Sequence, residues 1–247
     1  MKKYELTEET KVIGGKTLFR IRALRSFGGI KAGDLGGFIE NERNLSHGGN
    51  AWVGGNAEVY GNAQVVGYAQ VGGNAQVGGN AQVNGYAQVG GNAWVEDNAQ
   101  VGGNARVSGD AWVNGDARVN GDAWVEDNAR VDGDAWVGGY ARVNGDAQVV
   151  GDARVDGNAQ VGGDAWVGGN ARVGGDGLIN SNNDYLCEQG LGSRNRSASF
   201  FKCKDGHIHV LCGCFSGNLD EFENKVKEEH GNSKYSKEYL GFIEVVK

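Results

Sequence analysis

Histidine and cysteine side chains in the last quarter of the chain are of the types that could bind a metal. His207 and His209 lie two residues apart, close in sequence to two of the cysteines. Imidazole nitrogen and thiolate sulfur are the ligands that zinc prefers in proteins. The residues that could contribute to such a site are His207, His209, Cys187, Cys203, Cys212 and Cys214.

The geometry of the segment decides whether these side chains can meet. Residues 197–214 read as a hairpin, with a two-residue turn at Asp205-Gly206. That turn sets Cys203 opposite Ile208 on an apolar face, and alternation puts both histidines on the other face. We therefore predict no metal and no cofactor, and interpret the thiols as small buried hydrophobes. A zinc site that recruits Cys187 is the alternative.

Tryptophan and arginine share one position of a six-residue repeat in the middle of the chain. All six tryptophans and six of the twelve arginines occupy it, and no lysine does. A guanidinium stacks on an indole face better than an ammonium does, and both residue types are enriched in binding hot spots. The alternative is that they only stabilise the coil as cross-strand pairs. The predicted binding residues are Trp94, Trp112, Trp124, Trp136, Trp166, Arg106, Arg118, Arg130, Arg142, Arg154 and Arg172.

The repeat reads x-Gly-Asn/Asp-Ala-x-Val. Valine recurs at every sixth residue from Val53 to Val173, and alanine recurs in the same way, in 21 copies. On an extended segment Ala and Val point to one side, into the coil, and the residue between them points outward. The glycine two residues after valine marks a corner with positive φ, where Asp97 and Asp127 are the only replacements. The Asn or Asp that follows it can hydrogen-bond the backbone of its own corner.

A period of six fits neither a helix nor an alternating strand, so each hexad forms one side of a coil. Three hexads close a triangular coil of 18 residues, and 21 hexads make about seven coils. A proline would remove a ladder hydrogen bond, and the chain has none. We predict an all-β solenoid over residues 47–179, a small N-terminal cap over 1–46 and a small α+β C-terminal domain over 180–247.

Residues 18 apart stack on neighbouring coils, which places the outward side chains in columns. Asp116, Asp134 and Asp152 stack in one column of like charge. Arg118 and Arg154 could screen that charge. The binding surface is predicted on the coils from 104 to 176, because the earlier coils carry mainly Gln and Asn, whose amides can form ladders of their own. The columns of interest are Arg106–Trp124–Arg142, Trp94–Trp112–Arg130 and Arg118–Trp136–Arg154–Arg172.

The unit closely resembles the hexapeptide repeat of the left-handed β-helix superfamily of trimeric acyltransferases, over residues 45–179. The resemblance implies a left-handed coil and parallel homotrimers. It also implies a catalytic histidine at the subunit interface and a loop that interrupts the coil. Residues 48–206 contain no histidine and the register has no interruption. The zinc-binding γ-carbonic anhydrase variant needs three coil histidines and is excluded in the same way. We therefore predict that the protein is not an enzyme.

The flanking segments show a second resemblance, to uncharacterised hexapeptide-repeat proteins of bacteria and phages. It rests on L-F-R-I-R-A-L-R and K-A-G-D-L-G-G-F-I-E within 18–40, and on K-D-G-H-I-H-V-L-C-G-C-F-S-G-N-L-D-E-F at 204–222. It implies a mobile-element origin and brings no activity with it. Within these flanks, 219–230 is predicted to be a helix, and 239–246 is either strand or helix.

Charge and hydropathy limit the class of partner. The net charge is −7, with −9 on residues 47–179 and +2 on the flanks. An acidic prism is a poor general binder of nucleic acid. No apolar run of membrane-spanning length and no signal peptide is present, so a cytoplasmic location is expected, in the host cell if the protein is phage encoded.

Three functions follow as hypotheses. The first is a non-catalytic oligomeric binding scaffold that presents Trp/Arg ladders to a host protein or a small anionic, nucleotide-like ligand, with host-defence antagonism as one role. The second is a purely structural spacer or assembly protein. The third is a diverged hexapeptide acyltransferase.

Overall fold

The computed structural model describes residues 2–247 and begins with an antiparallel hairpin. Strands β1 (Tyr4–Ile13) and β2 (Lys16–Ala23) pair, and β2 pairs in turn with β3 (Leu35–Ile39). Strand β3 then pairs in parallel with the first coils, so the hairpin extends one face of the solenoid. Met1, part of the predicted cap, lies outside the described residues.

Twenty-two two-residue strands follow, each made of an outward residue and the inward residue after it. They are β4 (Trp52–Val53), β5 (Glu58–Val59), β6 (Gln64–Val65), β7 (Gln70–Val71), β8 (Gln76–Val77), β9 (Gln82–Val83), β10 (Gln88–Val89), β11 (Trp94–Val95), β12 (Gln100–Val101), β13 (Arg106–Val107), β14 (Trp112–Val113), β15 (Arg118–Val119), β16 (Trp124–Val125), β17 (Arg130–Val131), β18 (Trp136–Val137), β19 (Arg142–Val143), β20 (Gln148–Val149), β21 (Arg154–Val155), β22 (Gln160–Val161), β23 (Trp166–Val167), β24 (Arg172–Val173) and β25 (Leu178–Ile179).

These strands form three parallel sheets, one on each face of the prism. The sheets contain β3-β5-β8-β11-β14-β17-β20-β23 with the N-terminal hairpin, β4 to β25 in steps of three, and β6 to β24 in steps of three. We call them the first, second and third face. Each coil donates backbone hydrogen bonds to the next at regular positions, as from Trp124 N to the Ala141 carbonyl at 2.9 Å. The valines and alanines of all 21 hexads are buried, so the predicted β-solenoid is confirmed.

The coil starts earlier than the hexad count indicates. Ile39 pairs with Val59 and Leu45 with Val65, a separation of 20 residues instead of 18. Two extra residues between Leu45 and Val53 account for the difference. Ile39, Leu45 and Ile179 occupy the inward valine position of the repeat. Together with the 21 valines they make 24 inward residues, or eight coils, one more than predicted. Strand pairing alone does not report the hand of the coil, so its left hand stays a prediction.

A short 3-10 turn marks each end of the prism. One spans Glu42–Asn44 and the other spans Asn182–Asp184, and both are closed by a capping box. In the first turn the Asn44 amide donates to the carbonyls of Gly61 and Ala63 on the next coil. These turns replace the glycine corner where the regular repeat begins and ends.

The C-terminal residues fold as a four-stranded antiparallel sheet with two helices. Its elements are β26 (Tyr185–Leu191), β27 (Arg196–Lys202), β28 (Ile208–Cys212), β29 (Phe215–Asn218), α1 (Leu219–His230) and α2 (Lys234–Val246). The predicted helix 219–230 is confirmed, with Asn218 as its N-cap and Gly231 at its end. The ambiguous segment 239–246 is helical. No helix within residues 2–247 has the length and apolar character needed to cross a membrane.

The C-terminal sheet closes the open end of the prism. Its helices pack on one face, in a core that includes Phe200, Phe222 and Ile243. Its other face puts Phe201 and Cys203 into the coil core. A Cβ on Gly177 would lie 3.0 Å from the Phe201 ring, so the glycine that replaces the last alanine makes room for this ring.

Candidate functional site

The corners set the direction of the outward side chains. The glycines two residues after valine have positive φ, and so do Asp97 (56°) and Asp127 (59°), as predicted. The Asp127 carboxylate accepts from the Gly145 backbone N–H at 3.0 Å, one coil further on. The repeated corner gives every hexad the same orientation, which brings outward residues 18 apart side by side on adjacent strands.

The second face carries the most complete stack of the predicted binding residues. Arg106, Trp124 and Arg142, here called the central ladder, occupy β13, β16 and β19. The guanidinium carbon of Arg106 lies 4.9 Å from the centroid of the Trp124 ring, and that of Arg142 lies 4.8 Å from it. The indole is half-buried and both arginines are exposed. The predicted column is confirmed here as a physical stack.

The first face carries a second ladder of Trp94, Trp112 and Arg130. The two indoles are parallel, with ring centroids 5.1 Å apart and an angle of 3° between their planes. The Arg130 guanidinium lies 5.3 Å from the Trp112 ring. Trp166 lies on the same face, two strands beyond Arg130 with Gln148 between them, and is 57% exposed. The structure therefore does not bring Trp166 into this ladder.

The third face has the predicted column without the stack. Arg118, Trp136 and Arg154 are neighbours on adjacent strands, yet neither guanidinium lies over the indole. The Trp136 ring instead folds over its own corner, where a Cβ on Gly138 would lie 2.7 Å from it. The six-residue period predicts the column correctly, but it carries no information about the side-chain rotamer.

The far end of the third face opens into a small pocket at the C-terminal sheet. Arg154 and Arg172 line it together with His209 and Ser216, and its volume is about 370 Å³. Asp156 also lines this pocket. Burial raises the pKa of its carboxyl, and the two guanidinium groups oppose that rise.

The coil arginines are not paired with the acidic groups of the prism. Within residues 2–247, none of the six makes a salt bridge. Arg118 and Arg154 therefore form no ion pair with the Asp116 column, and the expectation that their charge screens it stays a prediction. Elsewhere the acidic corners accept from asparagine one coil before, as from Asn104 to Asp122 at 2.9 Å.

The predicted amide ladders of the first coils are confirmed for asparagine but not for glutamine. Asparagine amides bond from coil to coil, as from Asn62 to Asn80 at 3.0 Å and from Asn80 to Asn98 at 2.9 Å. Their partner is the next side chain and not the backbone of their own corner. In the described residues no Gln–Gln pair forms, and Gln70 donates to the Asn50 carbonyl instead. The side-chain amide of a corner asparagine such as Asn80 is hydrogen-bonded to the asparagines of both neighbouring coils. The glutamines of the described coils have no such pair of partners.

The central ladder forms one end of an open groove that the sequence reasoning missed. The groove runs along the second face from Trp52 to Trp124 and has a volume of about 570 Å³. Gly72 and Gly90 line it, because the residues after valine are small in these coils. Most of it lies before residue 104, outside the predicted surface. The signal in the sequence was the run of glycines 18 apart, at positions 54, 72 and 90.

Trp52, at the other end of the groove, differs from the remaining tryptophans. It is only 4% exposed, since the N-terminal cap covers it and Phe27 packs against its ring at 5.5 Å. Trp52 is therefore covered, although it occupies the same outward position of the repeat as the other five tryptophans.

The C-terminal hairpin has a different register from the predicted one. Lys202 pairs with Ile208, which sets Cys203 opposite His207, and the Cys203 N–H donates to the His207 carbonyl at 2.9 Å. The turn has three central residues and ends at Gly206, with φ of 87°. Cys203 therefore lies on the face of the two histidines, and the argument that alternation separates them is wrong.

The four cysteines divide between the two faces of the C-terminal sheet, and all are free thiols. Cys203 and Cys212 are buried, as predicted, and burial raises the pKa of both. Cys187 is half-buried, with its sulfur 3.7 Å from the Ser199 hydroxyl. Cys214 is exposed in the turn after β28, so the interpretation of the thiols as buried hydrophobes is wrong for this residue. The side chains that come within 4.8 Å of one another with metal-binding atoms are Cys203, His207 and His209, without Cys187.

Comparison with known proteins finds a solenoid repeat within the coils. The family model described as the YdcK beta-solenoid repeat matches residues 87–103 and 99–115. No curated protein matches the chain. Among solved structures, a Bacillus cereus protein described provisionally as an acetyltransferase is similar, with 11% identity and a TM-score of 0.31, over 72% of this chain and 87% of that one.

Proposed function

We propose that this β-solenoid is a non-catalytic, oligomeric binding scaffold whose central ladder recognises an anionic group on its partner. The partner is a host protein or a small nucleotide-like anion, and the scaffold acts in the cytoplasm of the cell that produces it. An origin in a phage or mobile element and a role against host defence follow from the resemblance of the flanks alone.

The observation that carries the proposal is that exposed arginines lie stacked on an indole and have no carboxylate partner. The prism carries fifteen acidic residues, yet none of its six arginines forms a salt bridge in the part of the chain that the structure describes. Stacking uses the flat face of a guanidinium and leaves its N–H edge free. That edge suits a carboxylate or phosphate, which it can hold through two parallel hydrogen bonds.

The spacing of the central ladder limits the size of the anion-bearing group. Arg106 and Arg142 lie two coils apart, about 10 Å at the usual strand spacing, with Trp124 between them. A planar ring could lie against the indole edge while anionic groups meet the two guanidiniums. The adjoining groove gives space for the rest of the partner along the second face.

The absence of catalysis is part of the proposal. It is supported by the coil sequence, which holds no histidine between 48 and 206, and by the corner aspartates, several of which accept from an asparagine of the preceding coil. A titration with acetyl-coenzyme A and with an acyl carrier protein tests the acyltransferase alternative. The proposal expects no binding, and saturable binding would contradict this part of it.

The experiment compares two double variants with the same change of charge. Arg106→Gln/Arg142→Gln disrupts the central ladder. Arg118→Gln/Arg154→Gln changes two arginines of equal spacing that do not stack, and the proposal leaves this third-face part of the predicted set outside the binding surface. Immobilised protein is incubated with native host extract, and adenosine and guanosine nucleotides are titrated against tryptophan fluorescence. We expect one species to bind both the wild type and the Arg118→Gln/Arg154→Gln variant. Its affinity for Arg106→Gln/Arg142→Gln should be lower by at least ~10-fold, which is about 1.4 kcal/mol.

The thermal midpoint of each variant serves as the control, because exposed stacked pairs contribute only about 0.5–1 kcal/mol each. If both variants keep every retained species, or if the wild type retains none, the ladders are structural. The spacer function would then replace the proposed one.

A further inference from the structure

The C-terminal hairpin brings three metal-binding side chains together at the end of the prism. We propose that Cys203, His207 and His209, here called the hairpin cluster, bind one zinc ion per chain. Nothing in the proposed ladder function requires this site, so the two can fail separately.

Strand register is what assembles the cluster. His207 immediately precedes β28 and His209 is its second residue, and alternation along the extended chain puts both on one face. Cys203, the residue after β27, lies opposite His207 and donates its backbone N–H to the His207 carbonyl. The thiol sulfur and one nitrogen from each imidazole all lie within 4.8 Å of one another. An ion placed among these three atoms needs only small rotations of the exposed His207 ring and the half-buried His209 ring to reach zinc–ligand bonds of about 2.0–2.3 Å.

The histidine rings are held by neighbours in the way that metal ligands commonly are. The Asp205 carboxylate lies 2.5 Å from Nδ1 of His207, so Nε2 is the nitrogen left for a metal. The Ser216 hydroxyl lies 3.0 Å from Nε2 of His209, which leaves Nδ1. A carboxylate or hydroxyl on the second ring nitrogen fixes ring orientation and tautomer and raises the basicity of the ligand.

The surroundings of the cluster fit a bound ion that is partly open to solvent. Cys203 is 6% exposed and belongs to the core at the end of the coil, whereas His207 is exposed. Phe201 packs against the His209 ring at 5.4 Å. A thiolate with two imidazoles favours zinc over the hard cations Mg²⁺ and Ca²⁺, which take oxygen ligands. Three protein ligands leave the fourth tetrahedral position to water.

The test uses the full chain without a polyhistidine tag, reduced and stripped of metal. Zn²⁺ is titrated in competition with a chromophoric chelator, and Co²⁺ is used as a spectroscopic probe. We expect one equivalent of either ion per chain, and a cobalt spectrum with tetrahedral bands and a thiolate charge-transfer band. His207→Gln and His209→Gln should each weaken Zn²⁺ binding by at least ~10-fold. Cys203→Ser should remove the charge-transfer band.

Matched controls lie in the same domain and outside the cluster. His230→Gln and Cys214→Ser change the same residue types and should leave both the affinity and the spectrum unchanged. Because Cys203 is buried and its variant could unfold, the Zn²⁺ affinity of His207→Gln, a change at an exposed residue, is the decisive measurement. Absence of an equivalent of bound Zn²⁺, or unchanged affinity in His207→Gln, would overturn the proposal.

Discussion

At the scale of single residues, the corner glycine is what allows the coils to stack. A Cβ on Gly139 would lie 2.9 Å from the Gly157 backbone nitrogen of the next coil, and Gly139 has φ of 63°. Both the dihedral and the contact exclude a side chain there. The two aspartates at such corners avoid most of this cost, because Asp tolerates positive φ better than most residues and their carboxylates bond the next coil.

Gly139→Ala and Gly175→Ala separate the two effects. Gly175 has nearly the same φ, 56°, and its Cβ would meet nothing within 4 Å because no coil follows it. We expect Gly175→Ala to lower the free energy of unfolding by about 1 kcal/mol and Gly139→Ala by about 2–3 kcal/mol or more. Chemical denaturation of the two variants measures both values, and equal losses would show that stacking contact is unimportant.

Residue types and period predict where side chains lie in the solenoid, but not how they turn. The columns on all three faces follow from the sequence, since a perfect register of 18 fixes them. Whether an indole stacks on an arginine depends on the rotamer of the tryptophan. The Trp136 ring lies over the corner of its own hexad, whereas the Trp124 ring lies between two guanidinium groups. Rotamers respond to neighbours on both adjacent coils, which the local repeat does not encode.

At the scale of elements, the two ends of the prism are covered by different means. At the start, Lys3 is fully buried and its ammonium donates to the Ala51 carbonyl at 2.7 Å. At the far end, Phe201 fills the space that Gly177 leaves. The α+β character of the C-terminal domain follows from its sequence patterns. The hairpin register does not, because Asp205-Gly206 fits both a two-residue and a three-residue turn.

Lys3 gives the N-terminal cap a pH dependence. Burial, and secondarily the charge of Arg25, lower the pKa of Lys3 to about 8. The unfolded chain keeps its proton up to about pH 10.4, so from pH 8 upward the unfolded state binds more protons and stability rises with pH. Below pH 8 both states are charged and the cost of burying the ammonium is fully present. We expect wild-type stability to gain relative to Lys3→Met between pH 7.5 and 9.5 in denaturant titrations; a constant difference would contradict this.

Removal of the C-terminal cap tests the role of the sealed end. Deletion of residues 184–247 exposes the last coil with its unpaired strand edge and apolar interior. We expect aggregation or loss of the oligomer, measured by size-exclusion chromatography. Phe222→Ala, which damages the second core of the cap without opening the coil, should be milder. A soluble, monodisperse truncation would show that the domain is a separate module.

At the scale of the whole molecule, the solenoid is a rigid acidic prism with exposed aromatic rows. Trp112 is 38% exposed and Trp166 is 57% exposed, on one face. Arg130 and Gln148 lie between them, so the stacked pair Trp94–Trp112 and the single Trp166 are two separate exposed aromatic sites. The oligomer is a hypothesis that rests on these residues and on the family resemblance, whereas the coil architecture follows from the period alone.

The oligomeric state is open to a direct measurement. We expect a homotrimer in which the prisms associate side by side and cover part of the first face. Light scattering should give three times the chain mass of 26.1 kDa across micromolar concentrations. Trp112→Gln/Trp166→Gln should shift this mass downward, with the central ladder variant as the control. A mass of one chain at all concentrations would contradict the trimer.

The claim that the central ladder is a binding surface has the most consequences for this protein. Its most direct test uses the species that the wild type captures. The affinity of this species is measured for Arg106→Gln/Arg142→Gln and for Arg118→Gln/Arg154→Gln at the same ionic strength, and each value is compared with that of the wild type. The structure-based expectation is a loss of at least ~10-fold for the first pair and a change of less than ~3-fold for the second. Equal losses in both pairs would mean that net charge and not the stacked ladder attracts the partner, and would contradict the account.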